Sequence, residues 1–272
     1  MQPKLLAMFL LLLSFCFELK AQGDLLVTPI RVVFEGKKQK EAINLVNVGK
    51  DTATYSISFL QYNMNEDGTF TSIEKPDSGQ MFASPYLRIF PRKVTLAPGE
   101  PQVIMLQCRR SADMIEGEYR SHLYFRSEKN YKPLGSAIND TTLLSVQLIP
   151  VYGMSIPVIV RSGKVNTGSS LSNLSLESRS NLDQYLKLTI HRTGNISIYG
   201  DLVIEFIPTQ GKPINAGGVN GVGVYTNIGQ RNIVVKLNNT TGKPFTNGKL
   251  KVQFVSKGDA KSVIYAEAEL EL

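Results

Sequence analysis

The 272-residue chain is poor in the residues that most often build covalent cross-links and metal sites. It contains two cysteines, Cys16 and Cys108, and two histidines, His122 and His191. If an N-terminal segment that includes Cys16 is removed, the remaining thiol cannot form an internal disulfide, and the fold must depend on its core. Cys108 lies in an apolar run, so a packed thiol is the simplest interpretation, although two arginines follow it and leave a reactive thiol open. Two isolated histidines without a paired-cysteine motif argue against a zinc site.

The chain also lacks catalytic motifs and basic tracts. It has no Gly-x-Ser-x-Gly elbow, and its glycine-rich stretch at 217–223 lacks the Lys and Ser/Thr of a phosphate loop, which favours a long hairpin turn. The net charge is +7, but the basic residues occur in scattered pairs rather than in the patch typical of nucleic-acid binding. We interpret the acidic pair Glu116 and Glu118 as part of a solvated loop. We therefore expect no enzyme activity, no cofactor and no nucleic-acid partner.

The N-terminus has the layout of a secretory signal peptide. Lys4 precedes an apolar run at 5–17, and Ala21 follows at a suitable cleavage position. The run is too short for a helix to cross ~30 Å of hydrocarbon. We predict a signal peptide at 1–21 and no integral membrane segment after its cleavage. A membrane anchor and a lipid-modified Cys16 are the alternatives.

The remaining sequence is typical of an all-β protein. Short alternating runs are separated by turn residues, and in the run 54–59 the side chains of Tyr55, Ile57 and Phe59 would share one buried face. A stretch rich in Ser, Asn and Gly at 161–183 marks a boundary between two halves. We predict two immunoglobulin-like β-sandwich domains in tandem, at 22–160 and 161–272.

Five segments of the first half, in order, carry a family resemblance. They are 28–36, with Arg31 before a small apolar triplet ending in Phe34, then 44–49, 90–99, 117–125 and 143–152. Together they resemble the N-terminal domain of the periplasmic chaperones of pilus and fimbria assembly, over roughly residues 25–160. The second half shares only its length and β character with that family. The chain therefore resembles a divergent member of the family.

The resemblance implies a mechanism. Subunits bound by this family are sandwiches that lack one strand, and the chaperone lends them an edge strand while two basic residues hold the subunit's terminal carboxylate. Carried over to this chain, Arg31 is the first anchor. Counting back from Pro157 puts Tyr152 at the position of the second basic anchor. Tyr152 is not basic, and Arg161 is a base that could substitute as the second anchor. The lending strand falls at 143–151; its subunit-facing side chains would be Leu144, Val146 and Leu148.

We therefore expect a periplasmic chaperone that binds and caps secreted pilus or fimbrial subunits, with an outer-membrane usher as a further candidate partner. The alternative is a structural or adhesive cell-surface or fibre protein built from the same sandwiches. At the level of residues, Arg31 could also be an ordinary outward-facing side chain of an edge strand, and 143–151 an ordinary core strand.

Overall fold

The structure, a computed structural model, describes residues 25–128, 151–179, 183–238, 242–256 and 263–272. The predicted signal peptide at 1–21 lies outside these ranges, as do Leu144, Val146 and Leu148 of the predicted lending strand. Apart from one short 3-10 helix at Ser84–Tyr86, every regular element in these ranges is a β-strand, which confirms the all-β prediction. No helix in the described ranges is long and apolar enough to cross a membrane.

Eleven strands belong to the first half of the chain. They are β1 (Leu25–Thr28), β2 (Val32–Phe34), β3 (Lys40–Asn47), β4 (Ala53–Leu60), β5 (Tyr62–Met64), β6 (Phe70–Ser72), β7 (Leu87–Phe90), β8 (Lys93–Leu96), β9 (Pro101–Cys108), β10 (Gly117–Glu128) and β11 (Gly153–Ser162). One sheet has the order β1-β3-β9-β7 and the other β2-β11-β10-β4-β8, while β5 and β6 form a separate hairpin. The two sheets enclose one hydrophobic core and form the first sandwich.

The core of the first sandwich follows the alternation seen in the sequence. Tyr55 and Ile57 are buried in it, as predicted, and Phe59 packs against its margin. Cys108 ends β9 with its side chain in the same core, and burial raises the pKa of its thiol. A buried thiol with a raised pKa is a poor nucleophile, so the packed interpretation of Cys108 fits the structure.

Seven strands form the second sandwich. They are β12 (Thr167–Ser178), β13 (Gln184–Gly194), β14 (Ile198–Pro208), β15 (Ile214–Val224), β16 (Gln230–Lys236), β17 (Gly248–Ser256) and β18 (Ile264–Glu271). The sheets β12-β13-β16 and β15-β14-β17-β18 enclose a second core, which confirms two β-sandwiches in tandem. The boundary at 160/161 stays a prediction; β11 ends at Ser162 and β12 begins at Thr167.

Two stretches of the second half have more strand than their composition indicates, and for the glycine-rich one the predicted hairpin turn was wrong. The serine-rich boundary stretch contains β12, because Leu171, Leu174 and Leu176 pack on the second core despite the polar residues between them. The glycine-rich stretch at 217–223 lies within β15 rather than in a hairpin turn. There Gly218 is needed because a Cβ would lie 2.3 Å from the carbonyl oxygen of Leu202 on the paired strand β14.

Candidate functional site

Strand β10 carries a row of polar side chains into the contact between the two sandwiches. Tyr119 and Leu123 point into the first core, so the alternate residues Glu118, Arg120 and His122 lie on the outer face of the sheet. All three are nevertheless buried, because the second sandwich covers this face. The outer face of β10 is thus one wall of an interdomain cleft.

The deepest part of the cleft is a closed ionic network. Arg120 donates from Nη2 to Glu118 Oε1 at 2.6 Å and to Ser197 Oγ of the second sandwich at 2.6 Å. Glu118 Oε2 accepts from the backbone N–H of Ser197 at 3.1 Å and from its hydroxyl at 2.8 Å. Burial alone would raise the pKa of Glu118, but Arg120, Ser197 and Arg161 together hold it below its ordinary value. The interpretation of Glu118 as a solvated loop residue was therefore wrong, since tertiary packing buries it.

Aromatic rings surround the charged network. The guanidinium carbon of Arg120 lies 3.7 Å from the centre of the Tyr225 ring, and His122 Nε2 lies 3.1 Å from the Tyr225 hydroxyl. Burial, followed by the charge of Arg120, lowers the pKa of His122 to about 3, so this histidine is neutral at physiological pH. Within the described residues, Nε and Nη1 of Arg120 and Nδ1 of His122 have no hydrogen-bond partner.

Arg31 lies in the same cleft but has a different environment. It directly precedes β2, is half-buried, and its guanidinium carbon lies 4.4 Å from the centre of the Tyr199 ring of the second sandwich. No acceptor for this guanidinium is found among the residues that the structure describes. Burial, and then repulsion from Arg120, lowers the pKa of Arg31 to about 10, so it remains a cation at neutral pH. Arg31 is a charged, oriented donor whose hydrogen bonds are unused within the described ranges.

A strand edge without a partner among the described strands ends beside Arg31. Strand β11 pairs with β10 from Gly153 to Ser162, but β2 covers its other edge only at Val158–Val160. Along Gly153–Pro157 that edge pairs with no described strand. The parallel register Val158↔Val32 puts Pro157 next to Arg31, one residue earlier.

The other two described site residues are placed differently. Tyr152 precedes β11 by one residue, and its carbonyl accepts from the N–H of Ser127 at 2.9 Å, near the end of β10 remote from Glu118. Strand pairing therefore puts Pro157, and not Tyr152, beside Arg31. Arg161 lies near the network, with Nη1 3.1 Å from Glu35 Oε2 and Nε 3.8 Å from Glu118 Oε2.

Sequence reasoning missed five residues of the cleft, namely Glu118, Arg120, Ser197, Tyr199 and Tyr225. The first two had a usable signal, because a Glu-x-Arg-x-His alternation opposite core-facing residues is unusual on the free face of a strand. The other three come from the second sandwich, and nothing local marks them. No group of three or more His, Cys, Asp or Glu side chains arranged to hold a metal ion was found in the described ranges.

No protein-family model and no curated protein matches the chain. Among solved structures, it is similar to a chain of the CsuC–CsuE chaperone–tip adhesion subunit complex of Acinetobacter baumannii, with 15% identity, a TM-score of 0.46, and coverage of 90% of this chain and 99% of that one. For the Pseudomonas aeruginosa CupB2 chaperone the identity is 9%, the TM-score 0.42, and the coverage 88% and 99%. For a chain of the Salmonella enterica SafA pilin–SafB chaperone complex the identity is 13%, the TM-score 0.42, and the coverage 89% of this chain and 95% of that one.

Proposed function

We propose that this protein is a periplasmic chaperone for subunits of extracellular fibres, acting by binding alone and without catalysis. It would lend a strand edge to an incomplete β-sandwich and hold the terminal carboxylate of that subunit in the interdomain cleft. The observation that carries the proposal is Arg31, a half-buried cation without an acceptor in the described residues, at the end of a strand edge that pairs with no described strand. The resemblance of the first half to the pilus-assembly chaperones points the same way.

The proposed binding mode rests on the pairing of β2 with β11. The edge at Gly153–Pro157, which pairs with no described strand, precedes the point where β2 begins to cover β11. A strand that ends with its carboxylate on Arg31 would therefore run parallel to β11 and be continued in line by β2. Main-chain hydrogen bonds would supply affinity, and the bond to Arg31 would fix the register, which otherwise slips easily. The planar guanidinium suits a carboxylate because it can donate two parallel hydrogen bonds.

Arg120 supplies the second positive charge in this proposal. Tyr152 carries no charge, and Arg161 already faces the carboxylates of Glu35 and Glu118. Arg120 is close enough to Arg31 to lower the pKa of that residue by repulsion. An incoming carboxylate would relieve this repulsion, so the pair favours an anion at Arg31.

Replacing Arg31 tests the anchor. We expect the wild-type protein to co-purify one-to-one with a fibre subunit that is insoluble alone, and Arg31→Ala to abolish the complex while the fold is retained. Arg92→Ala is the matched control, since Arg92 is an exposed arginine of the same sandwich. A complex that survives Arg31→Ala would refute carboxylate anchoring by this residue.

Replacing alternate residues of 143–151 tests the lent strand. Val146→Asp should prevent complex formation, because Val146 is one of the three side chains proposed to enter the subunit's groove. Gln147→Asp adds the same charge to the opposite face and should leave the complex intact. If the two variants behave alike, the lent strand lies elsewhere. Recovery of the chain in polymers, instead of in a soluble one-to-one complex, would favour the alternative role of a structural or adhesive fibre protein.

A further inference from the structure

The hairpin formed by β5 and β6, at residues 62–72, leaves the first sandwich and contacts the second. The carbonyl oxygen of Glu66 accepts from the backbone N–H of Asn232 at 2.7 Å. The Glu66 carboxylate lies 3.1 Å from Gln230 Nε2 at both oxygens. Asn227 Nδ2 donates to the carbonyl of Met64 at 2.9 Å. The hairpin thus meets a single stretch of the second sandwich, at 225–232.

The fit of the hairpin turn to the second sandwich is close. Gly68 has a φ of +85°, and a Cβ on it would lie 2.2 Å from Nη2 of Arg231. Arg231 is itself held in place, since its Nη1 donates to the carbonyl of Gly223 at 2.6 Å. Behind the turn, the ring of Phe70 lies 5.5 Å from that of Tyr225. The turn favours glycine for its positive φ, and a side chain at this position would also displace the Arg231 guanidinium.

The backbone bond from Asn232 to Glu66 also engages a strand edge. Strand β16 is an outer strand of the sheet β12-β13-β16, and its N–H groups face away from β13 at alternate positions. The hairpin is therefore attached to the second sandwich by a main-chain bond, as an added strand would be.

Among the contacts that join the sandwiches in the described residues, two sets differ in character. One is the buried network of Glu118, Arg120 and Ser197. The other is the hairpin contact, in which Glu66 and Asn232 are exposed to solvent. The chain crosses between the sandwiches through only four residues, 163–166, between β11 and β12. The hairpin extends the interface from Tyr225, which also packs on Arg120, along the second sandwich to Asn232. Contacts spread over this length oppose a rotation that the network alone would allow.

We propose that the β5–β6 hairpin is an interdomain clasp, which sets the angle between the two sandwiches and can open while each sandwich stays folded. Apart from the packing of Phe70 on Tyr225, its contacts are polar, and those of the Glu66 carboxylate are open to solvent. Water can replace these exposed hydrogen bonds when the clasp opens, whereas the network of Glu118, Arg120 and Ser197 is buried. The clasp concerns the chain by itself and is independent of any subunit. It therefore stands or falls separately from the chaperone function.

The clasp is tested by measuring one distance between the sandwiches in the full chain. Spin labels at Lys37→Cys and Lys212→Cys report it, in a Cys16→Ser background; Cys108 is 1% exposed and stays unlabelled. The clasp variants are Gly68→Ala and the double replacement Asn227→Ala with Gln230→Ala. Gly99→Ala is the matched control, because Gly99 has a φ of +73° and a Cβ on it would meet no atom beyond its chain neighbours within 4 Å.

We expect a single narrow distance distribution for the parent and for Gly99→Ala. Both clasp variants should show a broader distribution with an added population at a different distance, and circular dichroism should show unchanged strand content. Distributions that stay as narrow as the parent's in both clasp variants would overturn the proposal. If Gly68→Ala fails to fold, the double replacement decides alone, since it removes two partly exposed side-chain donors and strains no backbone.

Discussion

Two arginines of the interdomain cleft, Arg120 and Arg31, pack on tyrosine rings in the same way but differ in their hydrogen-bond partners. Arg31 and Arg120 each lie over a tyrosine of the second sandwich, at 4.4 Å and 3.7 Å from the ring centres. Arg120 is buried and held by Glu118 and Ser197, whereas Arg31 is half-buried and has no acceptor in the described part of the chain. A buried charge needs a partner within the protein. A charge at the margin of a cleft is accessible to a ligand, so in our proposal Arg31 contacts the subunit directly, whereas Arg120 holds the sandwiches together and adds only its charge to the site.

The largest loss of stability should come from breaking the buried pair of Glu118 and Arg120. Glu118→Ala would leave Arg120 buried without its carboxylate, which typically costs about 3–5 kcal/mol. We expect the free energy of unfolding, measured by urea denaturation, to fall by that amount. Glu35→Ala is the control, because Glu35 is an exposed partner of Arg161 and should cost less than about 1 kcal/mol. Equal losses in the two variants would contradict the distinction between buried and open charges.

The second-largest effect is a loss of stability in acid that comes from the buried His122. His122 has a pKa of about 3 in the fold, against 6.5 as its ordinary value. Between these values the unfolded chain binds a proton that the folded chain excludes, so the contribution of His122 is complete above pH 6.5 and is lost as the pH falls toward 3. Arg120, Tyr62 and Tyr225 face this ring, and the cationic Arg120 opposes protonation.

His122→Gln measures this contribution, because glutamine does not titrate. Between pH 7 and pH 4 the wild-type protein should lose about 3 kcal/mol more stability than the variant. Comparing the pH dependence of the two free energies of unfolding subtracts the carboxylates that both proteins share. Parallel curves would mean that His122 titrates normally in the fold.

The smallest effect on stability should come from replacing Arg31, which has no acceptor in the described residues. Arg31→Ala removes a cation–π contact and also an unpaired, partly desolvated charge, and these two terms oppose each other. We expect a change in the free energy of unfolding of less than about 1 kcal/mol, whichever its sign. A loss near that of Glu118→Ala would show that Arg31 is a structural residue, and the contrast between the two arginines would disappear.

Local pattern predicted the strands where one face alone is buried. The run containing Tyr55 and Ile57 is such a case, because alternation of apolar and polar residues reports a single buried face directly. The same rule failed on β10, where Glu118 is buried by a second domain on the outer face. It also failed on β15, where glycines accommodate a close approach of the neighbouring backbone.

Counting along the chain assigned Tyr152 to the second anchor position but could not show which residue lies beside Arg31. That neighbour depends on how β2 pairs with β11, two strands far apart in the sequence, and the parallel register puts Pro157 there. The register between distant strands depends on turns, bulges and the packing of both faces of the sheet. The sequence of one strand does not carry this information.

The sequence by itself determined the all-β class and the presence of two sandwiches, because periodicity and turn residues can be read along one strand at a time. Arg31 became a candidate through the resemblance of the first half to the pilus-assembly chaperones. Only the tertiary structure decided that Arg31 meets Tyr199, that Glu118 and Arg120 close a network on Ser197, and that the β5–β6 hairpin reaches Asn232. Each of these contacts joins the two halves of the chain. Their energies depend on the burial and orientation that arise when one sandwich covers the face of the other, and no local pattern encodes them.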